Sequence, residues 1–220
     1  MRFITFFLFS FLALASDPFR LARQEMKNGN YIYSLVILRN ISGDNQILSQ
    51  RYFLEGICYT QVGDYSKAIA KFVDVKKLNL PINDYYYELG KTLYFAKEYG
   101  KAEKSFNASI KNKSQVAGSF FYLAKISNFQ KDFRQAKVYL QQILGSKNLN
   151  PMVIQEALFQ IGELHLTIAK NELKPEDLSG IVSKHVLPYY EKALKTYPDS
   201  VYSKKIQERF ETVKKKYSLL

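Results

Sequence analysis

Two histidines, one cysteine and a recurrent ladder of aromatic and cationic side chains are the residues whose chemistry this chain could use. His165 and His185 have no second imidazole at the i, i+4 spacing that sets two ligands on one helix face. Glu163 lies two residues before His165, which does not complete a zinc set. Cys58 stands between Ile57 and Tyr59 among core candidates, with no basic pattern around it, and reads as an inert buried thiol. The carboxylates Glu176 and Asp177 follow Pro175 and precede Ser179-Gly180, where turn formation explains them better than acid–base work. No glycine-rich phosphate loop and no nucleophile elbow is present. The expectation is a protein that is not an enzyme and carries no metal and no cofactor.

The ladder is what remains. Phe19, Phe53, Tyr87 and Phe121 are spaced by 34 residues, and Phe159 continues the series after four extra residues. A helical turn further on stand Arg23, Ile57, Lys91, Lys125 and Glu163, followed by Tyr94, Phe95, Asn128 and Phe129. Rings give large contact area at low entropy cost, and cations capture carboxylates. Such a stripe suits a groove for a polypeptide; the competing reading is that the rings only pack helices against one another.

The elements that hold the ladder repeat with the same period. Gly56, Gly90 and Ala124 are 34 residues apart, as are Ala68, Ala102 and Ala136, then Phe72, Phe106 and Leu140, and also Tyr65, Tyr99 and Phe133. One step earlier stand Ala22, Tyr31, Ser34 and Leu38. The small residues let two antiparallel helices approach closely, and the large ones fill the space beside them. Gly63-Asp64, Lys97-Glu98 and Lys131-Asp132 are the turns between them.

A fifth unit starts at Pro151 and restates the first-helix columns as Leu158, Ile161 and Gly162. Its second helix, Tyr189 to Pro198, arrives 12 residues late, which predicts an insertion near 170–183 and a kink or late helix start at Pro188. Asp199-Ser200 should cap a last helix to about Tyr217, with Val201, Tyr202, Ile206, Phe210, Val213 and Tyr217 on its apolar face.

These columns resemble the tetratricopeptide repeat (TPR) family, through Tyr86, Leu89-Gly90, Ala102 and Phe106 in one unit and Tyr52, Gly56, Tyr59, Ala68 and Phe72 in the unit before it. Glu55 departs from the pattern, standing where leucine is usual. The resemblance implies an all-α, right-handed α-solenoid of about five helical hairpins with a capping helix. The expected repeats are 16–48, 49–82, 83–116, 117–154 and 155–198, with the cap at 199–217. It also implies that first helices line the ligand face. Some family members grip a partner's terminal carboxylate there with cations and amides, but this chain has Phe19, Leu54, Asp84 and Glu88 at those positions.

Residues 1–15 read as a secretory signal peptide. Arg2 supplies the basic start, Phe3 to Leu12 the apolar core and Ala13-Leu14-Ala15 the small-residue cleavage pattern, which places the mature start at Ser16. The apolar run is too short to span a bilayer. Resemblance to periplasmic repeat scaffolds points to a periplasmic or cell-envelope location. The net charge of +12 favours an acidic partner; in an exported protein that makes nucleic acid a poor candidate. The reading is therefore an adaptor that binds a protein or peptide with acidic groups in the aromatic groove. The alternative is an envelope-associated basic protein that contacts anionic lipid or cell-wall polymer through its surface, the oligomeric state being open in both.

Overall fold

The computed structural model describes residues 17–146 and 148–217, so the leader expected at 1–15 lies outside them. The described residues are all-α and fall into two compact units, which meet in sequence between Ile82 and Asn83. No described helix is long and apolar enough to cross a membrane.

The first unit contains α1 (Arg20–Lys27), α2 (Tyr31–Arg39), α3 (Asn45–Gln61) and α4 (Tyr65–Leu78), packed as the hairpins α1/α2 and α3/α4. The second contains α5 (Tyr85–Phe95), α6 (Tyr99–Lys111), α7 (Val116–Phe129) and α8 (Phe133–Leu144), again as hairpins. A longer fifth hairpin follows, built from α9 (Pro151–Glu172), the short α10 (Leu178–Ile181) and α11 (Leu187–Thr196). The helix α12 (Ser203–Tyr217) closes it. Within each unit the helices pair as adjacent antiparallel hairpins, and a capping helix follows the fifth, as the resemblance implied.

The turn inside each of the first four hairpins has one backbone solution. Gly29 and Gly63 are left-handed at φ 81° and 83°, and Lys97 and Lys131 adopt φ 63° at the same register position. The lysines accept a conformation that costs an L-residue about 1 kcal/mol, because the next residue is the N-cap of the second helix. Asp64 and Asp132 complete the start: their carboxylates accept the N–H of Lys67 and Gln135 at 3.2 and 3.0 Å.

Close approach follows from the small–large pairing. A Cβ added to Gly56 would stand 2.9 Å from the Phe72 ring, and one added to Gly90 would stand 2.7 Å from Phe106. Both rings are fully buried, as are Ala68, Ala102 and Ala136 beside them. In the fifth hairpin Gly162 meets Tyr190 at 2.6 Å in the same construction. Those two residues are 28 apart in sequence instead of 16, so the insertion of 12 residues lies between the helices, where the sequence placed it. It is used up by an extended α9, a 3-10 turn at Pro175–Asp177, α10 and a π-helical turn at Val182–Val186. Pro188 sits in the first turn of α11. With no N–H to donate and a ring that crowds the carbonyl four residues back, it suits a helix start just after a widened turn.

The departure at Glu55 is matched by charge. Its carboxylate is buried and meets Lys71 Nζ at 2.6 Å across the α3/α4 hairpin. Cys58 is a buried free thiol, which burial pushes up from its ordinary pKa.

The expected start of the last helix needs correction. Val201 and Tyr202 are exposed and precede α12, which begins at Ser203. The cause is Gln155, fully buried in α9. Its amide donates to the carbonyls of Ala193 and Tyr197 at 3.2 and 2.9 Å and to Ser203 Oγ at 3.1 Å, and it accepts from Ser200. These bonds tie the link between α11 and α12 to α9 and leave Val201 and Tyr202 on the outside of the bend.

Candidate functional site

The ladder divides when its residues are placed. Phe19, Phe53 and Phe159 are buried, whereas Tyr87 and Phe121 are half-buried. Tyr87 fills space inside its own unit: its ring lies edge-on to Phe106, and a Cβ added to Gly118 of α7 would come within 2.8 Å of it. Burial pushes its phenol well above the usual range. Arg23 is held by Asp17 at 2.5 Å and lies over Phe19. Lys91 is paired with Glu88 at 2.9 Å and lies over the Tyr87 ring. Both cations therefore have partners within the chain.

The remaining members form a surface in residues 83–217. Phe129 is 66% exposed and Phe95 43%, and Tyr94, Tyr99 and Tyr122 join them. Phe129 packs on Tyr99 at 4.7 Å, Tyr99 on Tyr94 at 5.7 Å, and Tyr94 on both Phe95 at 5.4 Å and Tyr122 at 5.1 Å. Tyr122 stacks on the buried Phe106 at 5.0 Å and so fixes the cluster to the core. Burial is the main cause that pushes its phenol up to about 12, with help from Glu88. Lys125 lies over the Tyr122 ring at 5.2 Å and is exposed.

Next to this surface runs a cleft of about 610 Å³ between α7, α9 and α12. Asn128, Phe159 and Gln160 line its wall, while Lys205, Glu208 and Arg209 of α12 supply charge. A smaller depression lined by Phe121, Lys125 and Asn128 adjoins it, sharing Asn128, Gln160 and Leu164. Phe121, Lys125 and Phe159 of the ladder are thus brought together beside the cleft. Phe19, Arg23 and Phe53 belong to the other unit.

Glu163 organises the wall of the cleft. Tyr190 stands where the other hairpins carry phenylalanine or leucine, and its buried hydroxyl needs an acceptor, which Glu163 provides. Arg209 of α12 donates to the same carboxylate through Nε at 2.8 Å and Nη2 at 3.0 Å. Burial pushes the Glu163 carboxyl up, but the guanidinium and the phenol outweigh it and hold the group below the usual carboxylate range. A carboxylate depressed in the folded state contributes stability above its unfolded pKa, near 4.5, and that contribution is lost as pH falls through the folded value. Glu163→Gln is therefore expected to flatten the decline in stability of residues 83–217 between about pH 5 and 3. Urea midpoints over that range measure it, and a variant with the wild-type slope would dismiss the linkage.

Tyr122 and the α12 residues Lys205, Glu208 and Arg209 were not among the sequence candidates. Tyr122 aligns with Leu54 and Glu88, so its column carries no aromatic signal. The α12 charges sit on a helix outside the repeat. His165 and His185 stack at 5.9 Å with Tyr189 beside them. Among the described residues no group of three or more histidine, cysteine or acidic side chains is placed to hold a metal.

On the helical-repeat fold, exposed aromatic area thus adjoins a charged cleft. Comparison with solved structures agrees on the fold. The chain superposes on the segment of MamA from residue 41 to the end from Desulfovibrio magneticus RS-1 with a TM-score of 0.59, at 19% identity. The match covers 84% of this chain and 98% of that one. It also superposes on the C-terminal part of a TPR repeat-containing protein from Cytophaga hutchinsonii, with a TM-score of 0.58 at 15% identity. That match covers 91% of this chain and 88% of the other. No family profile and no curated protein sequence matches the chain. The fold is thus TPR-like.

Proposed function

We propose that the chain is an exported scaffold that holds a polypeptide segment against the first-helix face of residues 83–217. The observation that carries this reading is the aromatic surface of Phe95 and Phe129, exposed at their rings and anchored to the core through Tyr94, Tyr99 and Tyr122. Rigid rings that are already ordered bind at small entropic cost. Lys125 and the neighbouring cleft give a bound segment with acidic groups a cation to meet. The apolar leader with its Ala13-Leu14-Ala15 pattern supports an envelope location.

One experiment tests both parts. The protein is isolated from the envelope of its native source with whatever it retains, and its intact mass is measured. A mass starting at Ser16 is expected, and a retained Met1 would reject cleavage. Phe95→Ala with Phe129→Ala should weaken partner retention by about 2 kcal/mol, in the range of interface hot spots, and leave the melting temperature nearly unchanged. A variant that retains the partner as the wild type does would remove the surface from consideration.

A further inference from the structure

The helix α2 reads Tyr31-Ile32-Tyr33-Ser34-Leu35-Val36-Ile37-Leu38-Arg39, with one charge in nine residues. Ser34, Leu35 and Leu38 face inward and are buried. The opposite face is also apolar: Ile32 is 63% exposed, Tyr33 55% and Val36 49%. A helix that is apolar all round normally has a second apolar environment outside it.

The repeat provides an internal control for that face. At the position of Ile32 the later hairpins carry Ser66, Gly100 and Arg134, and at the position of Tyr33 they carry Lys67, Lys101 and Gln135. At the position of Val36 they carry Ala70, Lys104 and Val138, so the first hairpin departs from the later ones at Ile32 and Tyr33, where it alone places large apolar or aromatic residues on the outer face. Two further features lie close in the chain. The apolar run Phe3 to Leu12 ends a few residues before α1. The same hairpin carries four basic side chains, Arg20, Arg23, Lys27 and Arg39, against two acidic ones, Asp17 and Glu25.

From these observations we infer that the outer face of α2 docks on an anionic lipid bilayer, the membrane toward which the N-terminal apolar run directs the chain. Ile32 and Val36 enter the acyl boundary, Tyr33 suits the headgroup level with its apolar ring and polar hydroxyl, and the basic excess meets the lipid charge. This contact is peripheral and needs no spanning helix.

The chain contains no tryptophan, so one introduced residue reports on one place. In the full chain Ile32→Trp is mixed with vesicles of equal parts phosphatidylcholine and phosphatidylglycerol, and Ser66→Trp serves as the control on the outer face of α4. The Ile32→Trp emission should move to shorter wavelength and be quenched by brominated lipid, while that of Ser66→Trp stays as in buffer. This readout follows the face itself, whether or not residues 1–15 remain attached. Adding Tyr33→Gln and Val36→Gln to Ile32→Trp should weaken the vesicle response about tenfold. An emission unmoved by vesicles overturns the inference. An emission already shifted in buffer, and dependent on protein concentration, overturns it in favour of a second copy of this chain as the occupant.

Discussion

Ala102→Arg is expected to cost residues 83–217 about 4 kcal/mol or more, a large share of the stability of an ordinary domain. Ala102 is fully buried in α6, one turn before Phe106. That ring already stands so close to Gly90 that even a Cβ there would overlap it, so the hairpin has no slack for a longer side chain. Overpacking alone costs roughly 1–3 kcal/mol, and a guanidinium without a buried partner adds its desolvation. Urea unfolding of the wild type and the variant measures the difference. If the midpoint does not move, position 102 does not lie in the packed seam and the repeat register is wrong.

Gln155→Leu should cost about 3 kcal/mol through a different mechanism. Leucine preserves most of the volume but returns none of the polar contacts. The carbonyl of Ala193 loses its side-chain donor, that of Tyr197 loses one donor and keeps Ser203 Oγ at 2.8 Å, and the hydroxyls of Ser200 and Ser203 each lose a partner, all in the buried seam between α9, α11 and α12. A buried group left unpaired costs its full desolvation, which is why one substitution weighs as much as several surface ones. The loss should be local. Amide hydrogen exchange is expected to rise in residues 203–217 while α5 to α8 stay protected. Equal protection of α12 in both proteins would show that apolar packing, and not Gln155, holds it.

The fold was legible because its seam is written locally. Gly90 and Phe106 are 16 residues apart and touch, so the constraint that makes one small and the other large recurs with every hairpin. The same logic located the insertion, since Gly162 and Tyr190 had to meet at any separation. Exposure along the aromatic ladder was not legible. Phe19 and Phe159 share a column with Phe121, yet they are buried and it is half-buried, because exposure at that column depends on what packs beside each helix. The charged wall of the cleft was hidden for a related reason. α12 lies outside the repeat, and the bond from Arg209 to Glu163 depends on how the last helix docks, which periodicity does not encode.

The fifth hairpin differs from the others in when it can be completed. Gly56 and Phe72 are joined as soon as a short stretch of chain has been made, and each early hairpin closes on its own residues. Gln155 waits for Ser203, 48 residues on, and Glu163 waits for Arg209, 46 residues on. Loops of that length close late and expose apolar surface until they do. A chain delivered from its N-terminus therefore sets its first hairpins in order of arrival. The part of α9 that meets α12 stays open to chaperones and proteases until α12 has emerged, so a truncation that removes only α12 shortens the lifetime of the whole fifth hairpin.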